Sequence, residues 1–307
     1  VLTKAQKFHD DIREKIISLG YEIIDHGDEK EEFTEEEYGC DVLVGLNPFQ
    51  GGDLNRFRNL KFFQATSAGY DTIPLDALKE KNIIFCNARD VYNKQISEFA
   101  VMRLLEIYKK APMYFRQQTE RKWQREFRLQ EITDKRVAIL GTGSIGGEIA
   151  KKLKVFDAVT IGFNRSGKPA EYFDHIYKIE MLEEMAGDLD VIIVALPLNS
   201  GSEHIINKNI LERMHKKSVL INIGRGPSVD TEALADVLEA GGIMGAALDV
   251  FEQEPLPEDS RLWGLENLLI SPHICSGSNY MNKRVYDLVY DNLKAFAENK
   301  EVKNRIV

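Results

Sequence analysis

Three polar side chains in the second half of the 307-residue chain have the types and placement for acid–base chemistry on an anionic substrate. Arg225 stands in INIGRG, Glu254 in DVFEQEPLP and His273 in LLISPHI. Each follows an apolar run of strand character, and ligands bind at the carboxyl ends of strands in open parallel sheets. A guanidinium holds a carboxylate and polarises a carbonyl. An imidazole exchanges a proton near neutral pH, and a neighbouring carboxylate favours its charged form. Together they suit reduction of a 2-oxo acid. That reaction needs a cation for the carboxylate, a proton donor for the carbonyl oxygen and a group that keeps the donor protonated. Singly, each has a plainer reading: a structural histidine after proline, an EP loop, an arginine capping a helix.

The same reaction needs a reductant, and RVAILGTGSIGGEIAKKL supplies a place for one. Gly141, Gly143 and Gly146 form G-x-G-x-x-G between a strand ending at Leu140 and a helix beginning near Ser144. The first glycine permits a tight turn, the second lets a pyrophosphate approach, and the third lets helix and strand pack closely. The helix start at Ser144 and Ile145 offers free N–H groups and a positive dipole end. A dinucleotide site is expected; the alternative is a turn whose glycines serve packing alone. The next strand, VTIGF, leads into Asn164, Arg165 and Ser166, with Lys168 close by. NAD-specific folds place a carboxylate there. An arginine and a hydroxyl would instead hold a 2′-phosphate. NADP(H) is therefore the expected preference, with NAD(H) possible. Pro197, closing GDLDVIIVALP, is counted with the cofactor-binding residues.

The segments SAGYDTIPLDAL, ILGTGSIGGEIAKKL, INIGRGPSVDTEAL, AALDVFEQEPLP and LWGLENLLISPHI, in that order, resemble the D-isomer-specific 2-hydroxyacid dehydrogenases over nearly the whole chain. The resemblance implies reduction of a small 2-oxo acid to the D-2-hydroxy acid by hydride from NAD(P)H. It makes His273 the general acid, Glu254 its partner, and Arg225 the anchor of the substrate carboxylate and keto oxygen. Asp249 looks like the family's residue for the nicotinamide carboxamide; the lesser alternative is a turn cap. Backbone N–H groups near Ala68 and Gly69 look like the family's loop for the substrate carboxylate, contributed by the other domain. Within the family, formate dehydrogenases carry Gln where this chain has Glu254. A glyoxylate/hydroxypyruvate reductase or a reductase of aliphatic 2-oxo acids is favoured. A phosphoglycerate dehydrogenase and a dinucleotide-sensing binding module with little turnover remain as alternatives. The family also implies a homodimer, to which a helix over 95–123 would contribute. Two segments are individual: HICSG, where Cys275 is expected to pack as a small apolar group, and GLNPFQGG, whose Phe49 reaches the substrate or belongs to the core.

These residues need an α/β framework. A helix is expected over 4–19, a strand over 21–24, and further strands over 41–45, 61–66 and 82–87. Continuous apolar strands between helices mean a parallel sheet covered on both faces. The opening VLT reads as the tail of a first strand. A second series places strands at 136–140, 158–163, 190–196, 218–223, 244–249 and 268–271, followed by a helix over 280–298 that returns to the first domain. The fold class is α/β. A Rossmann-type dinucleotide-binding domain spans 96–274. A flavodoxin-like, discontinuous substrate domain takes 1–95 and 275–307, with no regulatory domain expected after the last helix.

Bulk composition excludes other classes. The chain is 43% hydrophobic and 29% charged, which suits a globular protein of two domains. A net charge of −9, concentrated in the first sixty residues around Asp28 to Glu37, argues against nucleic acid or an anionic membrane as partner. Three widely spaced cysteines, Cys40, Cys86 and Cys275, form neither a metal-ligand pair nor a disulfide framework. The longest apolar run is too short to span a bilayer, no leader pattern opens the chain, and the cytoplasm is the expected compartment. His9, His26, His175, His204 and His215 are read as surface or packing residues.

Overall fold

The computed structural model describes residues 1–3 and 8–307, which divide into two compact units: Val1–Tyr92 with Ser278–Val307, and Asn93–Gly277. No helix among the described residues is long and apolar enough to cross a membrane.

The first unit is built on three parallel strands, β1 (Val42–Gly45), β2 (Phe62–Ala65) and β3 (Ile84–Cys86), in that order. Leu2 adds single parallel bridges to Val44 and to Asp25. The strand expected over 21–24 is reduced to that bridge, because its pairing ends with the bonds Leu2 N–H to Ile24 O and His26 N–H to Leu2 O. Strands β1 and β2 are buried along their whole length, as their unbroken apolar runs require. Helices α1 (Asp10–Ser18), α2 (Leu75–Glu80) and the last helix, α9 (Met281–Ala297), cover them. The helix expected over 4–19 begins only at Asp10; residues 4–7 lie outside the described residues. Helix α9 joins this unit through Phe296, stacked on Phe62 at 5.0 Å, and through buried Asn292, whose Nδ2 donates to Gln64 Oε1 at 2.6 Å. Phe49 packs edge-on against Phe57 and Phe63, so it belongs to the core.

The second unit opens with α3 (Asn93–Tyr108) and α4 (Ala111–Thr119). The single helix expected over 95–123 is broken: Lys110 takes a left-handed conformation (φ 55°, ψ 37°), and Pro112 in the first turn of α4 has no N–H to continue the α3 ladder. Seven parallel strands follow. They are β4 (Arg136–Leu140), β5 (Val159–Asn164), β6 (His175–Lys178), β7 (Val191–Val194), β8 (Val219–Asn222), β9 (Gly245–Leu248) and β10 (Leu268–Ile270). Helices α5 (Ser144–Lys154), α6 (Leu182–Met185), α7 (Lys208–Arg213) and α8 (Thr231–Glu239) lie between them in the chain. The sheet order is β10-β9-β8-β7-β4-β5-β6. The chain therefore starts at a central strand, winds outward to β6, and returns to β7 on the other side of β4. That reversal between β4 and β7 is the switch point at which doubly wound sheets open a crevice for ligands. Strand β6 was not expected; it is a part-exposed edge strand with no apolar run to announce it.

Candidate active site

The crevice begins at the glycine turn. Gly141 holds φ +99°, and a β-carbon there would meet the carbonyl oxygen of Ala195, beyond β7, at 2.8 Å. Gly143 is the N-cap of α5, and no side chain caps that turn. The first helical bond runs from Gly147 N–H to Gly143 O at 2.8 Å. The N–H groups of Ser144, Ile145 and Gly146 precede it, and helix starts leave such donors open to an anion. A β-carbon on Gly143 would meet nothing within 4 Å. Space for a phosphate and donors for it coincide, so these residues fit a dinucleotide pyrophosphate.

The adenosine end of such a ligand would face the turn after β5. Asn164 builds that turn: its Oδ1 accepts Ser166 N–H at 3.1 Å and Gly167 N–H at 2.6 Å, while its Nδ2 donates to Thr142 Oγ1 at 2.9 Å. The amide thus ties this turn to the glycine turn. Arg165 is exposed and makes no hydrogen bond or ion pair with another described residue. Pro197, after β7, is exposed, and its carbonyl accepts Ser202 Oγ at 2.7 Å.

Arg225 follows β8. Fully buried Asn222 shapes its loop by donating Nδ2 to Arg225 O at 2.9 Å and accepting Gly224 N–H on Oδ1 at 3.1 Å. Two glycines press the loop against its neighbours. A β-carbon on Gly224 would meet Leu196 O at 2.8 Å, and one on Gly226 would stand 1.9 Å from the Phe251 carbonyl. The side chain of Arg225 is half-buried, with Nη1 donating to Gly224 O at 2.9 Å.

His273 sits in the loop after β10 with φ +51°, a left-handed conformation that non-glycine residues adopt only where the surroundings impose it. Asp249, 1% exposed after β9, does the imposing. Its Oδ1 accepts Ser271 Oγ at 2.6 Å and Ile274 N–H at 3.1 Å, its Oδ2 accepts Cys275 N–H at 2.9 Å, and its carbonyl accepts His273 N–H at 2.8 Å. These bonds make Asp249 a cap of the His273 loop. Nδ1 of His273 lies 2.8 Å from Glu254 Oε2, and Glu254 Oε1 accepts Phe251 N–H at 2.9 Å. A carboxylate only accepts, so Nδ1 carries the proton, and Nε2 has no partner among the described residues. Burial pushes the Cys275 thiol up, reinforced by its hydrogen bond to Asp249 and opposed by the positive charge of Arg225.

In the first unit, Ala68 and Gly69 lie in the loop after β2. Their carbonyls accept Asn87 Nδ2 and Ser67 Oγ, each at 2.7 Å. Among the described residues their N–H groups donate to nothing.

Comparison with known proteins decides what this arrangement belongs to. Residues 101–275 match the family model for the D-isomer specific 2-hydroxyacid dehydrogenase NAD binding domain. Glyoxylate/hydroxypyruvate reductase A of Arabidopsis thaliana is 37% identical over 87% of this chain and 85% of its own length. The chain belongs to the D-isomer specific 2-hydroxyacid dehydrogenase family. Hydroxyphenylpyruvate reductase of Plectranthus scutellarioides is 34% identical over the same shares of the two chains. Among solved structures, an NADPH-dependent glyoxylate/hydroxypyruvate reductase of Sinorhizobium meliloti, in complex with NADP and malonate, superposes with a TM-score of 0.83. It is 27% identical, with 100% of this chain and 96% of that chain covered. This 2-hydroxyacid dehydrogenase is accordingly an NAD(P)-dependent oxidoreductase that reduces 2-oxo acids.

Several residues that shape the dehydrogenase site were not singled out from the sequence. Asn222 ends an apolar strand just before G-R-G, and a polar residue at that strand end was the available signal. Ser271 and Thr142 act through partners 22 residues away, a separation that carries no local pattern. His204, read as a surface or packing residue, is bonded to Glu252 beside the Glu254 turn.

Proposed function

We propose that this dehydrogenase reduces glyoxylate, hydroxypyruvate or a similarly small 2-oxo acid to the D-2-hydroxy acid, preferring NADPH. The observation that carries the reading is the His273 Nδ1 to Glu254 Oε2 contact of 2.8 Å, which leaves Nε2 as the ring nitrogen free to exchange a proton. The bound dinucleotide supplies the hydride. His273 Nε2 gives a proton to the carbonyl oxygen, and Glu254 stabilises the imidazolium until it does so. Arg225 holds the substrate carboxylate and polarises the carbonyl. Ala68 and Gly69 supply N–H donors to a substrate carboxylate, the role proposed for the first unit as the substrate domain. Asp249 holds the His273 loop.

Preference for NADPH rests on exposed Arg165, which has no partner among the described residues, beside Ser166 in a turn without Asp or Glu. A cytoplasmic setting is proposed from three free cysteines. A homodimer is proposed from Phe115, Trp123 and Phe127, which are 63%, 91% and 82% exposed on α4 and the chain after it. Three large aromatic rings exposed within one short segment suit an interface between two copies. A panel of 2-oxo acids run with NADPH and NADH tests the activity. Turnover of glyoxylate or hydroxypyruvate at about 1 per second or faster is expected. Dinucleotide binding without turnover of any acid would replace the enzyme by a binding module.

A further inference from the structure

Glu252 stands two residues before Glu254 and engages two partners at once. His204 Nε2 lies 2.6 Å from its Oε1, and Thr231 Oγ1 donates to its Oε2. Because the carboxylate only accepts, His204 carries a proton on Nε2 whether its ring is neutral or charged. The three residues come from the connections behind three neighbouring strands: His204 after β7, Thr231 at the start of α8 after β8, and Glu252 after β9.

The backbones of these connections are fastened at the same place. His204 N–H donates to Pro227 O at 2.8 Å, and Ile206 N–H to Ser228 O at 3.0 Å. A β-carbon on Gly226 would stand 1.9 Å from the Phe251 carbonyl and 2.6 Å from Glu252 N. The turn carrying Arg225 and the turn carrying Glu254 therefore lie back to back, with the Glu252 carboxylate tied to both sides. His204 itself is held at φ +44°, a conformation a non-glycine residue keeps only when its neighbours over-determine it.

We infer that Glu252, clamped by His204 and Thr231, is a positioning residue for the Glu254–His273 dyad. One residue separates Glu252 from Glu254. Phe251, on the other side of the clamp, donates its N–H to Glu254 Oε1 at 2.9 Å. Freeing Glu252 lets that turn rotate, and the carboxylate facing His273 moves with it. The side chains of His204 and Glu252 are 49% and 35% exposed, so the pair adds little to stability. Its effect is geometric, and a misplacement of about 1 Å at reacting groups costs up to roughly 100-fold in rate. The inference rests on the proposed roles of Glu254 and His273.

The test compares steady-state reduction of glyoxylate or, where the parent reduces it faster, hydroxypyruvate, with NADPH binding followed by calorimetry. Glu252→Ala is expected to lower kcat about 10-fold, or 1.4 kcal/mol of activation free energy, with the NADPH Kd within about two-fold of the parent. His204→Leu and Thr231→Val should each lower kcat several-fold. His204→Gln and Thr231→Ser, which keep a donor, should restore most of it. The His204→Leu/Glu252→Ala double variant should be no slower than Glu252→Ala alone, because both remove one clamp. Parental kcat in Glu252→Ala, additive losses in the double variant, or a loss of NADPH affinity matching the loss of kcat would each overturn the inference. His273→Gln serves as reference. If it retains turnover, the dyad reading has failed; if it is inactive while Glu252→Ala matches the parent, only the clamp has failed.

Discussion

A β-carbon on Gly146 would stand 1.9 Å from the carbonyl oxygen of Gly141. The helix α5 can approach the end of β4 this closely only because the side chain is absent. Gly143, between them, meets nothing within 4 Å. The two glycines therefore answer different demands, one from the fold and one from the ligand. Gly146→Ala is expected to lower the melting temperature by roughly 3–10 °C through overpacking against backbone. Gly143→Ala should melt with the parent and weaken NADPH by about 10-fold or more, because its methyl group projects where the pyrophosphate fits. Thermal melts and calorimetric titration of both variants separate the two effects; equal melting losses would refute the distinction.

Glu254→Gln removes the negative charge beside Nδ1 of His273 while keeping an acceptor of similar shape. Without that charge the ring keeps a hydrogen-bond acceptor and loses its ion-pair partner. The variant should lower kcat for reduction about 10-fold or more and leave the NADPH Kd within about two-fold. Steady-state kinetics with calorimetric titration measures this, and a parental kcat would remove Glu254 from its proposed role.

Among the described residues Arg165 has no partner to release, so its removal is expected to act on the ligand alone. A charge-assisted contact to a phosphate contributes about 1.5–3 kcal/mol. Arg165→Ala should therefore raise the KM for NADPH by roughly 10- to 100-fold. The KM for NADH should stay within about two-fold. Parallel losses for both dinucleotides would assign Arg165 to the loop and not to the 2′-phosphate.

Trp123 and Phe127 lie in a stretch, 120–130, that carries no helix or strand and leaves both rings in solvent. Replacing both with Ser should shift sedimentation from a dimer to a monomer and leave the fold intact by circular dichroism. A parent that already sediments as a monomer would end the dimer proposal.

Much of the framework was legible because parallel strands buried on both faces write themselves as apolar runs. The strands β1 to β5 and β7 to β10 all fall within their expected segments or one residue beyond them. The glycine turn and the polar residues closing later strands could be read for a similar reason. A tight turn, a close approach and a strand end are local demands on single residues. Strand β6 escaped because an edge strand is paired on one side only and shows no apolar run. The break between α3 and α4 was announced by Pro112, whose ring removes the N–H that a continuous helix needs.

Sequence by itself determined the elements, the order in which they follow one another and the chemical types offered at their ends. It could not decide which ends meet. Glu254 and His273 are 19 residues apart, His204 and Glu252 are 48 apart, and Asp249 reaches Cys275 across 26. Each pair is joined by the order and register of parallel strands. Those are settled by packing among many residues together, and no local spacing encodes them.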